Sequence, residues 1–168
     1  MKNSVRIILI GTGATFTIDC FTFLLSLLTQ KGNGIVYIGR WVAYLFKGKV
    51  FHNTIIQTPS VPNEMLIGWI THYSIGILFA FVLVLVFGIK WLSKPTIEAA
   101  LVIGTISLFF PVCLLQPALG FGIAFSQLPN ALFLFIKLVL IHIVYAIGLY
   151  WSAMLIQHSK KNSSINSN

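Results

Sequence analysis

Four stretches of the sequence are too long and too uniformly apolar for a water-soluble domain. Only 8% of the 168 residues are charged, whereas a soluble domain carries about 25%. About 20 apolar residues, at about 1.5 Å per residue, cross the roughly 30 Å of hydrocarbon in a bilayer. The stretches at about 5–29, 65–89, 96–115 and 131–156 therefore predict four membrane spans.

The same stretches decide the fold class. Only helices and closed barrels satisfy the hydrogen bonds of the backbone in lipid, and these stretches are too long and too evenly apolar for barrel strands. We therefore predict an all-α fold, an integral membrane four-helix bundle that forms one domain over residues 1–158. The polar residues 159–168 have the composition of a disordered tail. The first span lacks an A-x-A cleavage site, so we expect it to be retained.

The connection between the first two spans contains an amphipathic segment. Over residues 35–47 the bulky apolar side chains fall on one side at helical spacing, and Arg40 and Lys47 lie among them. This pattern predicts a short interfacial helix. An ordinary amphipathic loop helix packed on the bundle would show the same pattern.

The connection between the last two spans carries no charge. Pro, Gly and Gln interrupt residues 111–129, which therefore do not form one clean helix. Irregular apolar backbone must be buried in protein or line a cavity. We predict a broken, partly re-entrant segment here, and the alternative is a hydrophobic loop lying among the lipid headgroups.

The net charge of +8 reflects basic residues spread along the ends of the spans. That distribution orients a membrane protein and is not a nucleic-acid patch, so the expected partner is the lipid bilayer. Six basic residues against four favour both termini in the cytoplasm. The first side holds Lys2, Arg6, Lys90, Lys94, Lys160 and Lys161, and the other holds Lys31, Arg40, Lys47 and Lys49.

An acidic residue lies in the middle of the first span. Asp19 at a helix centre costs about 2.5–3.5 kcal/mol, so it should face the bundle interior and have a partner. His72 and His142 lie at similar depth, and Thr15 and Tyr73 complete a predicted intramembrane polar cluster. Three interpretations stay open: bonding between helices, a proton or ion relay, and metal or catalytic use.

A second polar cluster is predicted at the outer face. Arg40 and Trp41 in the first loop, His52, and Glu64 at the start of the second span share that side. Glu64 is favoured at a helix N-terminus and can pair with Arg40 or His52. The cluster could roof the bundle together with the uncharged loop, or serve as an interfacial anchor with one solvated ion pair.

Signatures of established chemistry are missing from the sequence. Cys20 and Cys113 lie in apolar runs without the spacing of metal ligands, and no nucleotide loop or Ser–His–Asp order occurs. We predict no catalytic residues, no metal site and no cofactor. Whether the protein is an enzyme stays open, with the balance against it.

These motifs together resemble one bacterial family of small multi-pass membrane proteins, domain-of-unknown-function family 2938. The resemblance runs through nearly the whole chain. It rests on Gly11-Thr-Gly-Ala-Thr15, Asp19, Gly39-Arg-Trp41, His52, Glu64, Gly68-Trp69, His72-Tyr73, Trp91, Pro95-Thr96, Pro111, Gln116-Pro-Ala118, Gly120, Gly122, His142 and Gly148-Leu-Tyr150. It implies a bacterial inner-membrane protein with four spans, and it implies no function.

Two functional hypotheses remain from the sequence. The first is a small transporter or channel-like protein with a proton-linked Asp/His site; four spans are few for a monomer, which favours a homo-oligomer. The second is a non-transporting membrane protein, either an assembly factor or a membrane enzyme, that acts at the outer face through Arg40, His52 and Glu64. The substrate is not assigned by the sequence.

Overall fold

The computed structural model describes residues 2–29 and 34–165. The all-α prediction is confirmed, and four helices are long and apolar enough to cross a membrane. A shorter helix, here called the loop helix, lies in the first connection. The elements are span 1 (Asn3–Thr29), the loop helix (Ile35–Leu45), span 2 (Glu64–Phe87), span 3 (Ile97–Ala118) and span 4 (Ala131–Ile165).

Span 3 ends at Ala118, three residues after its predicted end, and it passes its proline without breaking. Pro111 lacks an N–H and its ring crowds the preceding turn, which normally kinks or ends a helix. Here the chain passes the proline in a π-helical turn, Pro111–Leu115, and regular helix resumes at Gln116–Ala118. The wider turn accommodates the ring without ending the span. The irregular segment is therefore restricted to residues 119–130.

One half of the bundle, which holds the start of span 1, the start of span 3 and Ala153 of span 4, is tightly packed. It is here called the inner half, and the opposite half is called the outer half, as labels only. Span 1 lies between spans 2 and 4, and span 3 packs on span 4. Small residues allow the close approach of the helices, as Ala14, Ala146 and Ala153 are fully buried. The other core residues are Ile7, Ile10, Ala80, Leu83, Trp91, Leu92, Ala99, Ala100, Ile103, Tyr145 and Leu149.

Arg6 helps to close this inner end. The sequence places Arg6 among the basic residues that flank the spans, but the side chain turns inward and is 5% exposed. Its Nη2 donates to the carbonyl oxygen of Leu92, in the 3-10 turn Ile89–Leu92 that joins spans 2 and 3. Arg6 therefore ties the start of span 1 to this turn.

Span 4 also exceeds its predicted end. The helix continues from residue 156 to Ile165, through the first seven residues of the segment predicted to be a disordered tail. Extending an existing helix costs little compared with starting one, which explains why a polar sequence continues the helical backbone. Residues 166–168 lie outside the described part of the chain.

The loop helix packs against span 2 through two glycines. A Cβ atom built on Gly39 would overlap the carbonyl oxygen of Glu64 and lie 2.6 Å from the backbone nitrogen of Gly68. The two backbones therefore touch, with no room for a side chain at Gly39. This contact corresponds to the packed alternative for the loop helix, and its position in the membrane interface stays a prediction.

Replacing Gly39 by alanine should separate the loop helix from span 2. Because the obstacle is backbone, we expect a loss of about 1–3 kcal/mol in the free energy of unfolding. Gly34→Ala is the matched control, since a Cβ on Gly34 has nothing within 4 Å. Denaturation in mixed micelles measures both. A Gly39→Ala protein as stable as Gly34→Ala would contradict the close contact.

Candidate functional site: an intramembrane cavity

A cavity of about 610 Å³ occupies the outer half of the bundle. Its floor is the packed core, since Ala14 and Ala146 belong to the core while the cavity begins at Thr15 and Tyr145. All four spans, the loop helix and the segment after span 3 contribute to its wall. The spans thus meet at the inner end and enclose a space at the outer end.

The wall of the cavity is mainly apolar. Side chains of Ile, Leu, Phe and Pro make up most of it, and a few polar side chains interrupt the apolar surface. Such a lining is typical of sites for small molecules, where a few polar groups fix the orientation of a ligand. The polar or ionisable members are Thr15, Asp19, Thr22, Tyr37, His72, Ser107, Gln116, Lys137, His142 and Tyr145.

Asp19 and His72 form a pair across spans 1 and 2. The Nε2 atom of His72 lies 3.1 Å from Asp19 Oδ1, and the Tyr73 hydroxyl donates to Asp19 Oδ2 at 2.7 Å. Both carboxylate oxygens therefore have a partner, which compensates for removing the charge from water. The pair is 18–20% exposed, so it stays accessible from the cavity.

His142 and Thr15 lie on the same wall but do not bond to Asp19. The Nδ1 atom of His142 donates to the Leu138 carbonyl at 2.9 Å, and the Thr15 hydroxyl donates to the Gly11 carbonyl at 2.8 Å. In the described part of the chain the side-chain hydrogen bonds of Asp19 go to His72 and Tyr73, and none goes to His142. The predicted set is thus divided into a bonded group of three and two neighbours on the cavity wall.

Arg40 and Glu64 form the centre of the outer cluster. Arg40 Nε and Nη2 each donate to a Glu64 carboxylate oxygen at 2.8 Å, a two-point ion pair with only 11% and 14% of the side chains exposed. Arg40 Nη1 also donates to the carbonyls of Ile55 and Thr58. Hydrogen bonding to Glu64 raises the pKa of Arg40 against the opposing effect of burial.

Trp41 and His52 fasten the rest of the first loop. Trp41 Nε1 donates to the Val50 carbonyl at 2.8 Å, and His52 Nδ1 lies 3.0 Å from the Thr58 hydroxyl. Burial, with a smaller effect from Lys49, lowers the pKa of His52, so the imidazole is neutral near pH 7. Arg40, Trp41 and His52 thus lie in the first connection, and Glu64, the first residue of span 2, bonds to Arg40.

The first loop is joined to the segment after span 3, and the two together roof the cavity. His52 N–H donates to the Ala118 carbonyl and Ile55 N–H to the Leu119 carbonyl, both at 2.9 Å. Gly120 allows this contact, because its φ is +79° and a Cβ there would overlap the backbone of Asn53. The apolar side chains of the roof are Trp41, Ile55, Ala118, Leu119 and Phe121.

Sequence reasoning did not place six polar residues of the cavity wall in the site: Thr22, Tyr37, Ser107, Gln116, Lys137 and Tyr145. Gln116 was part of the family motif, but a single amide in an apolar segment does not indicate which way it faces. Lys137, in the second turn of span 4, also lines the cavity. Tyr145 donates to the Gly76 carbonyl at 2.5 Å at the floor, and Ser107 bonds within its own helix.

Among residues 2–29 and 34–165, no group of three His, Cys, Asp or Glu side chains is placed to hold a metal ion. No curated protein and no solved structure gives a significant match to the chain. The sequence of residues 8–156 matches the family described as Protein of unknown function (DUF2938). With most of its length matched and four helices able to cross a membrane, the chain is a multi-pass membrane protein that belongs to this family of unknown function.

Proposed function

We propose that the protein is a small transporter that takes a largely apolar molecule into the intramembrane cavity and couples its movement to a proton on the Asp19–His72 pair. The observation that carries the proposal is the position of this pair on the wall of a large apolar cavity. A carboxylate bonded to an imidazole in a membrane is costly to maintain as a structural bond alone.

The pair has the chemistry for proton exchange. Asp19 accepts from Tyr73, and His72 provides a ring nitrogen that both donates and accepts protons as its charge changes. A change of protonation alters the charge at one wall of the cavity. A bound molecule would therefore be held differently in the two protonation states, which is the linkage that coupled transport requires.

The shape of the bundle supports access from one side at a time. The inner halves of the helices are packed together, while the outer halves enclose the cavity. Transport would require the roof to move away to admit the molecule, and the packed inner halves to separate to release it. The small residues in the core, among them Ala14 and Ala146, would allow helices to move past one another without interlocking side chains.

The outer cluster gives less support to the alternative function, an enzyme or assembly site at the outer face. The Arg40 guanidinium and the Glu64 carboxylate bond to each other and to the loop backbone. Charged groups that use their hydrogen bonds within the protein hold parts of the protein together, as in a structural clamp. We therefore assign the Arg40–Glu64 pair to holding the roof and keep the cavity as the functional site.

The transport proposal can be tested by proton movement in proteoliposomes. The full chain is reconstituted into liposomes that contain a pH-sensitive dye, and a membrane potential is imposed with potassium and valinomycin. Small apolar ketones, alcohols and amines are then added singly. We expect proton entry that depends on an added solute and exceeds the rate in protein-free liposomes. If proton entry with every solute stays at the rate of protein-free liposomes, proton-linked transport is refuted.

We also propose a bacterial inner-membrane location, a homo-oligomeric assembly, and both termini in the cytoplasm. Basic residues near the span ends support this orientation, although Arg6 is used inside the bundle. Reporter fusions after Ser93 and Ser163 should then be active in the cytoplasm, and a fusion after Asn53 should be active outside. An external fusion after Ser163 would reverse the orientation.

A further inference from the structure

The wall of the cavity carries one lysine that has no acidic partner. Lys137 is the one Lys or Arg side chain among the described residues of this wall. The ion pairs in the described part of the chain join Arg40 to Glu64 and His72 to Asp19, and Lys137 takes part in neither. Charged side chains at membrane depth pair with other groups or face a cavity, so an unpaired cation on a cavity wall points to an anionic ligand.

Lys137 lies on the face of span 4 that is turned to the cavity, and its side chain can reach a bound molecule. Leu134, Leu138 and Ile141 line the cavity from the same helix, and their spacing of three and four residues defines one helical face with Lys137. The lysine is only half-buried. Its flexible four-carbon stem carries an ammonium group with three donors, which can turn toward a ligand.

The carboxylate of Asp19 lines the same cavity and has to be counted with Lys137. It bonds to His72 and Tyr73. When His72 is neutral, the Asp19–His72 pair carries one negative charge, which cancels the charge of Lys137. When His72 is protonated, the pair has no net charge and Lys137 leaves the wall positive. A bound monoanion therefore makes the cavity neutral only in the protonated state, and a net charge in an apolar site is costly.

Other titratable groups surround the Asp19–His72 pair. They are Cys20 of span 1, Tyr37 of the loop helix, Tyr73 of span 2, and His142 and Tyr145 of span 4. Span 3 contributes no titratable side chain to the described wall. Among these residue types only histidine ordinarily changes its charge near neutral pH, so His142 is the group that has to be separated from His72 by experiment.

We propose that the cavity binds amphiphilic monoanions, whose acidic group meets the Lys137 ammonium and whose apolar body contacts the Ile, Leu and Phe side chains, and that one proton on the Asp19–His72 pair enters with each anion. The inference rests on the proposed function, because it names the substrate class of the same cavity. Carboxylates and sulfonates with a single aromatic or alkyl body belong to this class, and a cavity of about 610 Å³ is large enough for them.

Two probes of closely similar shape test the charge of the ligand. 2-Naphthalenesulfonate carries a permanent negative charge, whereas 2-naphthalenesulfonamide is neutral. The full chain in phosphatidylcholine nanodiscs is dialysed against each probe at about pH 6, and the amount taken up by empty nanodiscs is subtracted. We expect the protein to bind the sulfonate about tenfold more tightly, the effect of one hydrogen bond between charged groups. The sulfonate also joins the solutes of the proteoliposome assay.

Lys137→Met removes the cation and keeps the length of the side chain. This variant should bind both probes equally, with the affinity for the sulfonamide within about twofold of the wild-type value, which shows that the cavity is intact. Lys137→Arg keeps the charge and should keep the preference for the sulfonate. Lys90→Met is the matched control and should behave as the wild type, because Lys90 is exposed in the turn between spans 2 and 3.

The pH dependence of binding tests the linked proton. Raising the pH from about 6 to about 8 should weaken sulfonate binding by about threefold to tenfold, because His72 loses the proton that leaves the wall positive. The sulfonate stays ionised over this range, so the effect belongs to the protein, and the sulfonamide should bind equally at both pH values. His72→Gln should lose the pH dependence, and His142→Gln should keep it.

The outcomes separate this inference from the proposed function. Equal binding of both probes by the wild type, or an unchanged preference in Lys137→Met, overturns the anionic class and leaves the cavity as the substrate site. Sulfonate binding that does not depend on pH, or that keeps its pH dependence in His72→Gln, overturns the linked proton on this pair. No binding of either probe above empty nanodiscs overturns both proposals.

Discussion

Asp19→Asn should abolish solute-dependent proton entry in proteoliposomes, reducing it to the rate of protein-free liposomes. Asparagine has nearly the same shape, and its amide oxygen can still accept from Tyr73 or His72, but the side chain does not take up a proton near neutral pH. The bundle should therefore remain folded while the coupling is lost. Proton entry and the unfolding transition, measured on one preparation, separate the two effects.

Glu98→Gln is the matched control for this prediction. Glu98 lies in the first turn of span 3 and is exposed, where water and the helix dipole satisfy its charge. It loses the same charge by the same change, and we expect wild-type proton entry. If both variants keep full activity, Asp19 is a structural partner of His72 and Tyr73. If both lose it, the assay responds to net charge and not to the site.

The sequence predicts the contact between Asp19 and His72, and the reason is geometric. Gly11, Thr15 and Asp19 lie on one stripe of span 1, and His72 and Gly76 lie on one stripe of span 2. Small residues spaced by four bring helices together, so the polar residues on the same stripes must meet. The depth along the spans then determines which acid meets which histidine.

His142 shows where this reasoning ends. Its depth matches that of Asp19, but depth gives one coordinate and the sequence does not give the rotation of span 4 around its axis. A histidine four residues after Leu138 can also bond to that carbonyl. His142 forms this local bond, and its second hydrogen-bond interaction is with the Ser107 backbone of span 3 and not with Asp19. Whether a polar residue in a helix bonds along its own helix or across to another depends on distances that only the folded bundle provides.

The irregular segment was harder to predict, since its structure depends on distant parts of the chain. The covalent chemistry of Pro111 predicts a break, whereas the chain passes this residue in a π-helical turn. Span 3 ends at Ala118, and the carbonyl of this residue accepts the N–H of His52 from the first loop. Such a contact between two loops leaves no periodic signal in either one.

The ion pair in the roof gives the largest expected effect on stability. Arg40→Met should lower the free energy of unfolding by about 2–3 kcal/mol, between the values for exposed and for fully buried pairs. The change leaves the Glu64 carboxylate without its main partner and the carbonyls of Ile55 and Thr58 without a donor. Tryptophan fluorescence during denaturation in mixed micelles measures the loss, since Trp41 lies beside the pair.

Glu64→Gln and the double variant show whether the loss comes from the pair itself. Glu64→Gln should cost less than Arg40→Met, because Arg40 keeps its two carbonyl acceptors. The double variant should cost less than the sum of the two single changes, because neither leaves a charge unpaired once the other is made. Additive losses below about 0.5 kcal/mol each would instead indicate a solvated surface pair.

Arg40→Lys separates charge from geometry in the same clamp. Lysine keeps the positive charge, but its single ammonium group does not reproduce the planar fork that holds both oxygens of Glu64 and reaches the carbonyls of Ile55 and Thr58. If charge alone held the roof, Arg40→Lys would be as stable as the wild type. We expect a stability between those of Arg40→Met and the wild type, because the clamp joins span 2 to a loop that covers the cavity, and that attachment depends on the directions of four hydrogen bonds.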